Sequence, residues 1–208
     1  MSDRSVNNQA EKQVKQGDGS SASSAIKRKE AGEPSPCFTS PCFLRIAGVV
    51  RESIVDGPGI RFTVFTQGCN HHCPGCHNPQ THDFDGGNVV SIDSLLEQIK
   101  KNPLLDGITL SGGEPFEQAE ACGELARRAH AMKLNVMTYS GYTFEEIVEG
   151  STYRPGWKEL LQETDILVDG PFKLESRNIL LRFRGSENQR LIDVKKSLKE
   201  SRVVPADM

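Results

Sequence analysis

With 208 residues and 25 Lys and Arg set against 28 Asp and Glu, the chain carries a formal net charge of -3, so no global field draws it to nucleic acid or to an anionic membrane. No apolar run approaches the length a bilayer needs, and the N-terminus lacks the basic-then-apolar layout of a secretory signal; the expectation is a soluble, cytoplasmic protein. Six cysteines in a chain long enough to build its own core point to thiol or metal chemistry rather than to the disulfide framework of a small secreted domain.

Residues 1–42 are rich in Ser, Gln, Asn, Lys and Glu, with almost no large apolar side chain before Phe38. Such a segment cannot bury enough surface to offset its ordering entropy, and a disordered tail is expected. Within it "PSPCFTSPC" sets Cys37 and Cys42 among prolines; they read as exposed linker thiols, the alternative being a redox pair or accessory metal ligands. The domain is expected over residues 43–200, with 201–208 a C-terminal tail.

From residue 43 onward β-branched and aromatic runs alternate with helical periodicity. Strands are predicted in "FLRIAGVV", "RFTVFTQ", "GITLSGG", "LNVMTYSG", "DILVDG" and "NILLRFRG". Helices are predicted from Ser91 to Lys101, with apolar Ile92, Leu95, Leu96 and Ile99, then Glu117 to Met132, Thr143 to Glu149 and Trp157 to Glu163. Strand and helix in turn imply an α/β fold with a largely parallel sheet. The ordered part, about 155 residues, is shorter than the ~250 of a closed eight-stranded barrel, so an incomplete, open (βα) barrel is expected.

Just beyond "RFTVFTQ", at the strand end where such folds place their chemistry, "GCNHHCPGCHNP" holds Cys69, Cys73 and Cys76 in C-x3-C-x2-C spacing. A structural zinc site takes four ligands, and His71, His72 or His77 is available as the fourth; a zinc-binding interaction module is therefore one reading. Otherwise His71 and His72 read as solvated loop residues. A four-iron cluster usually has one thiolate per iron, so three thiolates leave an iron open, and an open metal position is where a small molecule binds.

The loop resembles the cluster loop of the radical S-adenosylmethionine (SAM) superfamily. Three further stretches support the resemblance. "VDGPGIRFTVFTQGC" is similar to the entry to the first strand in activases of glycyl-radical enzymes, "LSGGEPF" to the glycine-rich SAM motif, and "LRFRGSENQRLIDV" to the C-terminal signature of activating proteins of anaerobic ribonucleoside-triphosphate reductases. The resemblance implies a [4Fe–4S] cluster on Cys69, Cys73 and Cys76, with SAM chelating the fourth iron. It implies reductive cleavage of SAM to a 5′-deoxyadenosyl radical, which takes a hydrogen atom from a glycine of the large anaerobic reductase subunit. A one-electron donor such as a flavodoxin or ferredoxin is implied too, with no nucleic acid or membrane partner. An activase of another glycyl-radical enzyme, such as pyruvate formate-lyase, is the nearest alternative.

On that reading Gly112 and Gly113 let backbone amides approach the amino acid end of SAM, and Glu114 accepts from its ammonium; alone, the stretch would be a glycine turn before a helix. Gly75 and His77 are expected along the adenosyl group, and Ser140, at a strand end, within reach of SAM or in buried packing. Asp169 suits either a ribose hydroxyl or a loop amide. The stretch from Arg184 to Arg190, with Asn188 and Gln189, has no role assigned by pattern alone, and Cys122 reads as a small buried apolar side chain.

Overall fold

The computed structural model describes residues 42–207; the expectations for the tail before Cys42, Cys37 among them, lie outside the described residues. One seven-stranded sheet runs in the order β3-β1-β2-β4-β5-β6-β7. Its central strands, β2 (Arg61–Thr66), β4 (Gly107–Gly112), β5 (Asn135–Tyr139) and β6 (Ile166–Asp169), are parallel. β1 (Phe43–Ser53) lies antiparallel to β2 and to β3 (Asn88–Ser91), and β7 (Arg190–Asp193) antiparallel to β6. Because β3 and β7 end the order without pairing to each other, the sheet stays open, which is the unclosed architecture expected. Its parallel character is confined to the middle.

The helices fall close to their predicted places: α1 (Ile92–Lys100), α2 (Ala119–Ala131), α3 (Phe144–Gly150) and α4 (Trp157–Gln162). In α1 the i, i+3, i+4, i+7 spacing of Ile92, Leu95, Leu96 and Ile99 buries one face, and the Ser91 hydroxyl caps its start by accepting from the Ser94 amide at 3.2 Å. Thr143 and Glu146 close a reciprocal capping box on α3. A short strand β3 and a C-terminal helix α5 (Val194–Glu200) were not expected.

One predicted strand is corrected. "NILLRFRG" forms turns, and the pairing strand is "RLID", Arg190–Asp193, after the intervening "SENQ". The run is apolar but does not bury: Ile179 and Leu180 are 80% and 86% exposed. Phe183 sits in the left-handed region at φ +57°, which breaks any extended ladder. Beyond α5, residues 203–206 return beside β7, where the Asp193 amide donates to Val204 O at 2.9 Å and the Ala206 amide to Leu191 O at 2.9 Å.

The sheet has two unlike faces, since alternate side chains point opposite ways. Phe62, Val64, Ile108, Leu110, Val136 and Leu167 join the helices in the hydrophobic core. The other face carries Arg61, Thr63, Phe65, Thr109, Ser111, Met137 and Tyr139. Arg61 is fully buried. Its Nε donates to Thr109 Oγ1 at 2.6 Å and its Nη1 to Pro58 O at 3.1 Å; Nη2 donates to Ile108 O and reaches the carbonyl and side-chain oxygens of Asn135 at 3.2 and 3.1 Å. Burial pulls its pKa down to about 10. Thr109 in turn donates to Asp56 O at 2.7 Å, fastening the Asp56–Pro58 loop beneath this face.

Replacing Arg61 by Met keeps volume but strands several buried acceptors, each costing on the order of 1–3 kcal/mol. A loss of roughly 3 kcal/mol is expected, seen as a lower urea midpoint at unchanged slope. A second test concerns His130 at the end of α2, whose Nδ1 lies 2.7 Å from Glu163 and Nε2 2.8 Å from Asp165. Burial acts to lower its pKa, but the two carboxylates outweigh that and raise it. The clasp therefore stabilises fully below the unfolded value of about 6.5 and is lost as pH rises through the raised folded value. Urea midpoints across that window should fall with rising pH in the native protein and flatten in His130→Gln; parallel curves would refute the clasp.

Candidate active site

At the C-terminal ends of the parallel strands lies an open cavity of about 580 Å³, within the range of small-molecule sites. Cys69, Cys73 and Cys76 line it, as do His77, Gly112, Gly113, Glu114 and Ser140. One expected member is missing: Gly75 does not line the cavity. It turns the loop at φ +73°, and a Cβ there would stand 3.0 Å from Leu174 Cδ1.

The cysteine loop is anchored at both ends. The Gly68 amide donates to Thr81 O at 2.8 Å and the Cys69 amide to His82 O at 3.1 Å, while the Cys76 amide closes a turn on Cys73 O at 3.1 Å. None of the three thiols is in a disulfide. Burial pushes the Cys69 thiol up to about 11 and raises Cys73, so an adjacent metal is what would make these sulfurs thiolates. The Asn78 amide already donates to Cys76 Sγ at 3.3 Å, a contact of the kind that tunes cluster sulfur ligands. Among the described residues no three His, Cys, Asp or Glu side chains are gathered tightly enough to hold one metal ion; the thiols stand around the cavity. Three thiols lining one cavity, with an amide directed at one of the sulfurs, fit a cluster as the group they would hold.

Glu114 sits at the centre of the site and is fully buried. Its Oε1 accepts from the Phe116 amide and the Ser140 hydroxyl, both at 3.0 Å, and its Oε2 accepts from the Gly141 amide at 2.8 Å and faces His71 Nε2 at 2.8 Å. Those four contacts fill the carboxylate's acceptor sites. His71 is therefore no solvated loop residue. Its ring packs edge-on to Tyr142 with centroids 4.4 Å apart, and although burial works to lower its pKa, the hydrogen bond to Glu114 outweighs that and raises it. His72 is exposed, as expected.

The glycine pair also differs from expectation. The Gly113 amide donates to Thr66 O and the Glu114 amide to Gly68 O, both at 2.8 Å, so these amides belong to the end of β2 rather than to a ligand. A Cβ on Gly113 would stand 2.4 Å from Gly68 O, and one on Gly112 (φ +93°) 2.6 Å from Phe65 Cα. Only glycine lets the end of β4 press this closely on β2 and the cysteine loop. Of the two readings of Asp169, the amide one is found: it accepts from the Phe144 amide at 2.7 Å and pairs with Arg190, which also pairs with Glu145 at 2.7 Å. Cys122 is wholly buried on α2.

Sequence reasoning missed the far wall. Phe172, Leu181, Phe183, Arg184, Gly185 and Gln189 all line the cavity. His77 meets Phe172 with ring centroids 5.0 Å apart. The polar "RGSENQR" run was the signal, but its register against the cysteine loop exists only in three dimensions.

Residues 55–192 match the family model described as "4Fe-4S single cluster domain". The anaerobic ribonucleoside-triphosphate reductase-activating protein of Vibrio cholerae is 33% identical over 144 residues, 65% of this chain and 89% of that protein. That of Enterobacteria phage T4 is 30% identical over 143 residues, 66% of this chain and 86% of that protein. The pyruvate formate-lyase-activating enzyme of Clostridium pasteurianum is 31% identical over 130 residues, 60% of this chain but 50% of that protein.

Single Cys69→Ser, Cys73→Ser and Cys76→Ser variants, reconstituted anaerobically, should each lose most bound iron and sulfide, whereas Cys122→Ala should keep both. Retention of a full cluster by any of the first three would remove that cysteine from the ligand set.

Proposed function

We propose, from the premise that the chain belongs to the 4Fe-4S single cluster family and to the anaerobic ribonucleoside-triphosphate reductase-activating proteins within reach of it, that it installs a glycyl radical on an anaerobic ribonucleotide reductase. The cofactors are a [4Fe–4S] cluster and SAM, which when bound supply reductive cleavage of the sulfonium and, through it, removal of a hydrogen atom from a glycine of the reductase. The zinc-module reading gives way to the family match. One observation carries the assignment: three thiols outside any disulfide and the buried Glu114 line a single open cavity, in a chain that spans 89% of a reductase-activating relative and 50% of a formate-lyase activase.

The chain's own residues bind, orient and shield. Cys69, Cys73 and Cys76 would hold the cluster, and the Asn78 amide, already donating to Cys76 Sγ, would steady that ligand sulfur. Gly112 and Gly113 keep the wall thin behind the methionyl end of SAM, while Ser140 and Glu114 fix the ends of β5 and β4 around it. Glu114 receives the ammonium where His71 now sits, since its remaining partners are backbone amides and a buried hydroxyl. His77, against Phe172, flanks the adenosyl group. No acid–base side chain is required, because positioning is the protein's part. An open sheet leaves a mouth wide enough for a glycine on a partner's loop, and the partner completes the enclosure.

A flavodoxin or ferredoxin supplies the electron, and nucleic acid and membrane are not partners. No helix among the described residues is long and apolar enough to cross a membrane; the cytoplasm is the proposed location.

The test is release of 5′-deoxyadenosine from anaerobically reconstituted protein given SAM and a strong reductant, with the reductase added or omitted. Release strengthened by the reductase, together with a glycyl-radical signal on it, is the expected outcome. No release from protein shown to hold a full cluster would overturn the proposal.

A further inference from the structure

Residues 176–187 form a hairpin-like excursion beside the cavity, closed at its base. Arg177 and Ser186 make an antiparallel bridge, the Glu187 amide donates to Ser176 O at 2.9 Å and the Asn178 amide to Gly185 O at 3.1 Å. The tip is fixed as well. The Leu180 amide donates to Asn178 Oδ1 at 2.9 Å, and Asn178 Nδ2 donates to Glu187 Oε1 at 3.2 Å. Gln189 holds the returning leg, its Oε1 accepting from the Gly185 amide at 2.9 Å and its Nε2 donating to Gly170 O at 3.1 Å. Ile179 and Leu180 therefore stand on a shaped knob.

A loop tip in water ordinarily carries small or polar residues, and this one carries two aliphatic side chains. Leu180 at 86% and Ile179 at 80% are the most exposed large apolar side chains among the described residues, and the next two are Ile54 at 73% and Val55 at 71%. Both pairs adjoin the same cavity: Val55 lines it, and so does Leu181, the neighbour of Leu180. Single apolar residues on a surface call for no explanation, but four of them on two segments that border one mouth mark a contact surface. Around the tip the charge is positive. Between Lys173 and Glu187 four cations stand against Glu175 and Glu187, in a chain whose net charge is -3. Lys173, Arg177 and Arg182 are exposed, and none of the three enters an ion pair with a described residue. Arg182 lies over the Phe183 ring, 5.4 Å from its centroid.

We infer that the 176–187 hairpin, with the Ile54–Val55 pair at the same mouth, is the surface that receives the glycine-bearing part of the reductase. Ile179 and Leu180 seat in an apolar pocket of that partner, and Lys173, Arg177 and Arg182 meet carboxylates around it. The inference rests on the proposed function, in which a partner's glycine enters this cavity. Leu181 and Phe183 of the same hairpin line the cavity, so contact at the tip and entry of the glycine belong to one docking event. A tip already held in shape loses little conformational freedom on docking, which lets a small contact bind. A small contact suits an activator that must then release its target.

Binding of the purified large reductase subunit to cluster-loaded protein is measured anaerobically, with SAM and without reductant, at low and high salt. The proteins compared are the native chain, the tip variant Ile179→Ser/Leu180→Ser, the charge variant Arg177→Glu/Arg182→Glu, and a control, Leu104→Ser/Tyr153→Ser, whose side chains are each 69% exposed and do not line the cavity. The tip variant should bind the reductase at least about tenfold more weakly at native iron content and urea midpoint. The charge variant should associate more slowly and lose most of the salt dependence of the native complex, and the control should stay within about twofold of native. Equal binding by native protein and the tip variant overturns the inference, as does an equal loss in the control. A tip variant altered in self-association on sedimentation but not in reductase binding gives the surface to a second copy of this chain, and that also overturns it. If native, fully loaded protein neither binds the reductase nor, given reductant, raises a glycyl radical on it, the proposed function falls with the inference. Binding and radical formation undiminished in the tip variant sink the inference alone.

Discussion

A carboxylate with no access to water must be ringed by donors, and the way Glu114 meets that demand organises the site. Its four contacts come from three separated parts of the chain: the turn it begins, the end of β5 at Ser140 and Gly141, and the cysteine loop at His71. Removing any one leaves the others around an incompletely solvated group, so the parts are held in mutual register by the cost of the alternative. The cysteine loop is consequently not a free flap. It is tied at Gly68 and Cys69 to residues 81 and 82, and across the cavity through His71.

The same logic, with the opposite charge, operates lower on that face of the sheet. Arg61 is buried among carbonyl and hydroxyl oxygens, with no carboxylate in hydrogen-bond contact. It closes the floor where an open sheet lacks the side chains that fill a complete barrel. The helix-covered face follows the ordinary apolar pattern. One face of the sheet therefore supplies the hydrophobic driving force, and the other, dense with polar contacts, supplies the shape of the cavity.

Most of the frame was legible because it is local. The spacing of Ile92, Leu95, Leu96 and Ile99 and the Thr143–Glu146 box specify helices without reference to anything distant. That the three cysteines and Glu114 meet at one strand-end cavity was legible because their residue types and spacing carry chemistry. What escaped were relations between distant segments. "NILLRFRG" has a strand's composition, yet Ile179 and Leu180 remain exposed, and only the fold shows that "RLID" pairs with β6 in its place. His71 looked solvated because nothing near it in sequence is a partner; Glu114 lies 43 positions away. The amides of Gly113 and Glu114 seemed available to a ligand because their acceptors, Thr66 and Gly68, belong to the end of another strand and to the loop that follows it.

The cavity draws its walls from Val55 through Gln189, and its far side is latched to β6 by Arg190. During synthesis, with the N-terminal part emerging first, Cys69, Cys73 and Cys76 leave the ribosome more than a hundred residues before that latch exists. A nascent chain thus carries three thiols with one side of their enclosure missing, open to stray metals and oxidants. The timing favours delivery of iron and sulfide after release of the finished chain.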